Sequence, residues 1–132
     1  MQTPKFLTIE AVLRLHDRQI ERFGGTAGLR DQGLLDSALA QPQATFGGEW
    51  LHPTLADQAA AYLYHLSRNH PFVDGNKRTA FAVMMTFLRV NGYRLTLTDD
   101  DAYDLVMQVA QRQVEKDALA ARLAAALVPT ED

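Results

Sequence analysis

His70-Pro71-Phe72-Val73-Asp74-Gly75-Asn76-Lys77-Arg78, continued by Thr79-Ala80-Phe81-Ala82-Val83-Met84-Met85-Thr86-Phe87-Leu88-Arg89-Val90, sets a polar, glycine-bearing turn directly against an apolar run. From about Asn76 to Val90 there are few polar interruptions, and a helix apolar on nearly all sides is a central, buried one. The stretch therefore predicts the central helix of the protein, and with the further helices read below it makes the chain all-α. The turn before it concentrates the chemistry. The first amides of a helix lack intrahelical partners and lie at the positive end of its dipole, so Gly75, Asn76, Lys77 and Arg78 can surround an anion. Gly75 lets the backbone approach closely, Lys77 adds a point cation and Arg78 a bidentate fork. Asp74 suits a magnesium ion bridging phosphate oxygens. The imidazole of His70 can accept a hydroxyl proton close to neutral pH. Phe72 is expected to point into the core and Pro71 to restrict entry to the turn. Any one of these residues alone fits a solvated helix connection better. Base, acid, glycine and two cations crowded before a buried helix favour an anionic ligand, which can satisfy the free amides.

Outward from the turn, the chain divides into further helices. On the N-terminal side, Ile9, Val12, Leu13, His16, Ile20 and Phe23 recur with a helical period that Gly24-Gly25 ends. Asp31 can cap a second helix carrying Leu34, Leu35, Ala38 and Leu39, which stops near Gln41 because Pro42 disfavours helical geometry before it. Pro42 to Pro53, with Gly47-Gly48, is a loop or short hairpin. Leu55, Ala59, Tyr62, Leu63 and Leu66 mark a third helix ending near Asn69. On the C-terminal side, Asn91-Gly92 caps the central helix, and Tyr93 to Leu97 is a short extended piece. Thr98 or Asp99 starts a helix with Tyr103, Val106, Met107 and Ala110 on its buried face. A last helix runs roughly from Glu115 to Leu127.

Composition bounds the possibilities. At 132 residues and 47% hydrophobic, residues 1–132 fit one domain. No stretch approaches the roughly 20 apolar residues needed to cross a bilayer, and Met1-Gln2-Thr3-Pro4-Lys5 lacks the apolar run of a secretion signal, so a cytoplasmic protein with no membrane partner is expected. The absence of cysteine excludes disulfides, thiolate metal sites and cysteine nucleophiles. A net charge of -3 with interspersed signs disfavours direct nucleic-acid binding.

The nine residues from His70 to Arg78 resemble the signature H-P-F-x-D/E-G-N-G/K-R of the Fic/Doc family. Leu15-His16-Asp17, Phe23-Gly24-Gly25, Gly33 to Leu39 and Phe87 to Tyr93 are similar to its death-on-curing branch, so the likeness covers nearly the whole chain. The resemblance implies a compact helical bundle with the central helix after the motif loop and a flap or hairpin before it. It implies that His70 is the general base, Asp74 the Mg2+ ligand, Asn76 a phosphate and loop-positioning group, and Lys77 and Arg78 phosphate anchors, with Gly75 in the phosphate cradle. Many Fic proteins transfer the adenylyl group of ATP and carry glycine before the motif arginine and a second arginine three residues after it. Here those places hold Lys77 and Phe81. The pattern is similar instead to the Doc form, which binds the nucleotide reversed and transfers its terminal phosphate to a threonine of elongation factor Tu, arresting translation. The implied function is that of a toxin, a kinase-like transferase using ATP and Mg2+ and restrained by a cognate antitoxin. The alternatives are adenylyl transfer or a non-catalytic nucleotide-binding module.

Residues 43–52, with Thr45, Phe46, Gly47 and Gly48, are by the same resemblance a flap that holds an extended target segment by strand pairing. Phe46 and Trp50 could anchor this segment on the bundle. The nearest match to the inhibitory pattern S/T-x-x-x-E-G/N runs from Thr45 to Glu49, but Trp50 follows and the glycines oppose a helix, so restraint is expected from another chain. His16 is expected to be a core histidine, with a supporting role for the motif loop left open. His52 and His65 are structural or incidental, and Asp99-Asp100-Asp101 is an acidic helix start, not a metal cluster. A helical metal-dependent phosphohydrolase is suggested only by His16-Asp17 and lacks the further ligands it needs.

Overall fold

The computed structural model describes residues 3–131; Met1 and Gln2, the first residues of the segment expected to lack a secretion signal, and Asp132 lie outside the described residues. Six helices and two small strand pairs occur among them. Helix α1, Ile9–Phe23, starts at Thr8, whose hydroxyl accepts from the Ala11 N–H, and ends at Gly24. Asp31 caps α2, Gln32–Ala40, by accepting from the Leu34 N–H. The α3 helix, Leu55–Asn69, opens on a reciprocal capping box between Thr54 and Asp57. Then come α4, Asn76–Val90, and α5, Asp99–Ala110, the latter capped by the Thr98 hydroxyl. The last helix, α6, Lys116–Ala126, stops one residue short of the expected Leu127.

The centre belongs to α3 and α4 together. Four alanines of α3, Ala56, Ala59, Ala60 and Ala61, are buried and let α2, α4, α5 and α6 all pack against one helix. In α4 the buried face is Thr79, Ala80, Val83, Met84, Phe87 and Leu88, while Phe81 and Met85 are half-buried on its flank. The N-terminal segment closes the core. Phe6 lies against Phe87 and Trp50, with ring centroids 5.7 and 5.6 Å away, and the Leu7 N–H donates to the Tyr62 hydroxyl. Burial pushes that phenol up to about 12, so it stays neutral.

Between α2 and α3, β1, Thr45–Phe46, pairs antiparallel with β2, Glu49–Trp50. Gly47 and Gly48 both have positive φ, 59° and 83°, as a two-residue turn of this hand requires. Thr45 faces Trp50 and Phe46 faces Glu49, so adjacent pairs point to opposite sides of the ribbon. That corrects the expectation that both aromatics anchor the segment. Trp50 packs on Phe6, whereas Phe46 is 84% exposed. The extended piece after α4 is β3, Tyr93–Leu95, and its partner is β4, Leu127–Pro129, so that Leu127, expected as the last helical residue, opens a strand instead.

Candidate active site

The site forms where α3 ends and α4 begins. His70 terminates α3 in left-handed geometry, φ 49° and ψ 56°, a conformation that costs a non-glycine residue about 1–2 kcal/mol. Pro71 and Phe72 then turn inward, and Phe72 is buried as expected. Asn76 closes the turn with both ends of its amide: its Oδ1 accepts from the Phe72 N–H at 2.9 Å and its Nδ2 donates to the Phe72 carbonyl at 3.0 Å. The Asn76 side chain is thus engaged in holding the turn, so any contact of Asn76 with phosphate would have to come from its backbone N–H.

Helix α4 has no side-chain cap at its N-terminus, in contrast to α1, α2, α3 and α5. Its first amides open onto a recess of about 370 Å³ lined by His70, Val73, Asp74, Gly75, Asn76, Lys77 and Arg78. All six motif residues singled out from the sequence therefore share one cavity. Arg78 is held at its rim: its Nη2 donates to the Gly24 carbonyl at 3.0 Å and its guanidinium lies 5.5 Å from the centre of the Phe23 ring. Lys77 is exposed, and its ammonium has no hydrogen-bond partner among the described residues.

Asp74 accepts from the Thr26 N–H through Oδ2 and from the Gly75 N–H through Oδ1. These bonds, Thr26 first, hold its carboxyl below the ordinary carboxylate range, with Arg78 adding to the effect. An ionised carboxylate beside an open helix N-terminus fits Mg2+ shared with phosphate oxygens and water. No group of three or more potential ligands exists among the described residues, so His16-Asp17 does not grow into the metal cluster of a phosphohydrolase. His16 instead supports the loop. It is buried, its ring stacks on Phe72 with centroids 3.8 Å apart, and its Nε2 donates to the Asp74 carbonyl at 2.8 Å.

A second recess of about 380 Å³ meets the first at Lys77 and Arg78 and is mostly apolar, lined among others by Phe81, Met85, Leu97, Tyr103 and Met107. Phe81, singled out from the sequence, lies on the wall of this second recess.

With this geometry in place, comparison with known proteins adds the family. Residues 6–88 match the model of the Fic/DOC family. The chain belongs to the Fic/Doc family. It is 52% identical over 104 residues to Toxin Doc of Mycolicibacterium smegmatis, covering 77% of this chain and 80% of that protein. To Protein kinase doc of Escherichia phage P1 it is 31% identical over 116 residues, covering 88% and 90%. The Fic/Doc motif loop of this chain leans on one further segment, Gly24 to Arg30, of which the sequence singles out only Gly24-Gly25, as a helix stop and part of the family likeness. A Cβ on Gly25, where φ is 116°, would lie 2.7 Å from Asp74 Oδ2, so only glycine lets the carboxylate settle there. Thr26 through its backbone N–H and Arg30 through its guanidinium likewise hold the loop. The available signal was the density of glycines after α1, more than one helix cap needs.

Proposed function

We propose that this protein is the toxin of a toxin-antitoxin system and transfers the terminal phosphate of ATP to a Ser or Thr hydroxyl of a translation protein, with elongation factor Tu as the target. The observation that carries the reading is one recess combining His70, Asp74, Lys77, Arg78 and the uncapped N-terminus of α4, next to a wall that offers Phe81 in place of a second arginine. The names of the two relatives, a toxin and a protein kinase, support it.

In this reading the amides of α4, Lys77 and Arg78 bind and orient the phosphate chain, and their fixed positive charge stabilises the charge that spreads over the transferred group. Asp74 would hold Mg2+, which supplies further charge neutralisation when bound. His70 takes the proton of the acceptor hydroxyl as the new O–P bond forms and the bond to the leaving ADP breaks. The β1–β2 hairpin, with Thr45, Phe46, Gly47 and Gly48, holds an extended segment of the acceptor along its edge. The reaction takes place in the cytoplasm, where translation proteins are found. Restraint comes from an antitoxin segment docking at the motif loop, since Thr45 to Glu49 forms a hairpin rather than an inhibitory helix.

Labelled ATP tests the reading. Incubated with a cell extract, the protein is expected to move label from the terminal phosphate onto a polypeptide the size of elongation factor Tu. Label moving only from the α phosphate would establish adenylyl transfer instead. Binding without transfer of either label would leave a nucleotide-binding module.

A further inference from the structure

The left-handed backbone at His70 is one of two positive-φ positions at non-glycine residues among the described residues, and it lies in the recess where the proposed chemistry occurs. A strained conformation of this kind persists only when its surroundings over-determine it. Those surroundings are supplied largely by one side chain from another part of the chain. Arg30, on the connection between α1 and α2, donates from Nε to the His70 carbonyl at 2.7 Å and from Nη2 to the Asn69 carbonyl at 3.0 Å. Its own N–H and that of Asp31 both donate to the Pro71 carbonyl, at 2.8 and 3.0 Å. Gly28 and Leu29 continue the contact: the Val73 N–H donates to the Gly28 carbonyl at 3.0 Å, and Leu29 forms an isolated bridge with Phe72.

We propose that Arg30 is a positioning residue for the general base: its guanidinium fork clamps the last carbonyls of α3 and so fixes the turn that presents the His70 imidazole to the recess. The assignment rests on the reading of His70 given above. The planar fork matters because two carbonyls on successive residues are met by two parallel N–H groups, a geometry that a lysine ammonium matches at only one of them. Arg30 is not among the residues that line the recess, so its effect falls on the chemical step and not on nucleotide binding.

Two variants, Arg30→Ala and Arg30→Lys, test this with purified elongation factor Tu as acceptor, alongside the Cα and Cβ chemical shifts of His70. For Arg30→Ala, kcat is expected to fall roughly 10–100-fold, as misplaced catalytic groups do, while KM for ATP stays within about twofold. The His70 shifts should leave the left-handed range while the shifts of the α3 interior hold. Arg30→Lys should lie between the two and decides the question if Arg30→Ala fails to fold. Wild-type kcat in either variant, unchanged His70 shifts in Arg30→Ala, or a loss expressed mainly in KM for ATP would overturn the proposal. If the wild type transfers nothing to any acceptor, the functional reading fails, and the shift measurement still decides whether Arg30 sets the turn.

Discussion

His70 gives the recess both a strained backbone and an exposed side chain, and the two are separable by mutation. His70→Ala keeps the carbonyl that Arg30 holds, so the fold should persist with unchanged thermal unfolding. Transfer should drop about 10²–10⁴-fold, the contribution of a positioned general base. Full activity in the folded variant would remove His70 from that role. Asp74 acts through charge. Because the Thr26 and Gly75 amides and Arg78 depress its pKa, its contribution to stability is present above the unfolded carboxyl pKa and is lost as pH falls through the lower folded value. Asp74→Asn should raise the Mg2+ concentration needed for half-maximal transfer at least roughly tenfold, since loss of even an outer-shell group costs that much in metal sites. An unaltered magnesium titration would take Asp74 out of the metal site.

Among the elements, the β1–β2 hairpin presents an exposed aromatic, Phe46, with no ring contact among the described residues. Phe46 faces away from Trp50 and the bundle, so Phe46→Ser should leave the melting temperature unchanged. It should weaken use of a protein acceptor, seen as a raised KM for that protein with KM for ATP constant. Equal effects on both substrates would place the hairpin's role in nucleotide binding. The helices were legible because their apolar residues recur with a helical period, and Asp31 and Thr98 cap as expected; the caps at Thr8 and Thr54 come from the structure. The motif recess was legible for a different reason, since its residues are contiguous. What escaped were partners brought in from a distance. Arg30, Thr26 and Gly25 meet the loop only through the tertiary fold, and β4 is too short to show an alternating pattern. Trp50 and Phe46 were paired by proximity in sequence, whereas the register of a two-residue ribbon separates them.

At the scale of the molecule, the packing of α6 on α3 buries basic groups together on a side of the protein that the motif does not use. Lys116, at the first turn of α6, donates to His65 Nε2 of α3 at 3.0 Å, and a neutral imidazole is the form that accepts. Burial, then Lys116 and His52, lower the pKa of His65 to about 4, and His52 is lowered in the same way by burial and Lys116. Between pH 6.5 and about 4 the unfolded chain therefore binds a proton that the folded chain refuses, and stability falls as pH drops through that window. After allowance for screening of a half-exposed ring, His65 should account for about 1 kcal/mol of that loss. Denaturant unfolding across this range should show a shallower slope in His65→Gln, and an identical slope would place the acid sensitivity elsewhere.

The central claim joins the ends of α3 and α4 to one reaction, and the mass of a modified acceptor tests it most directly. Elongation factor Tu incubated with this protein, ATP and Mg2+ is expected to gain a single phosphate-sized increment on a Ser or Thr, absent with His70→Ala. An AMP-sized increment, or an unmodified acceptor in the presence of folded, nucleotide-bound protein, would contradict the account.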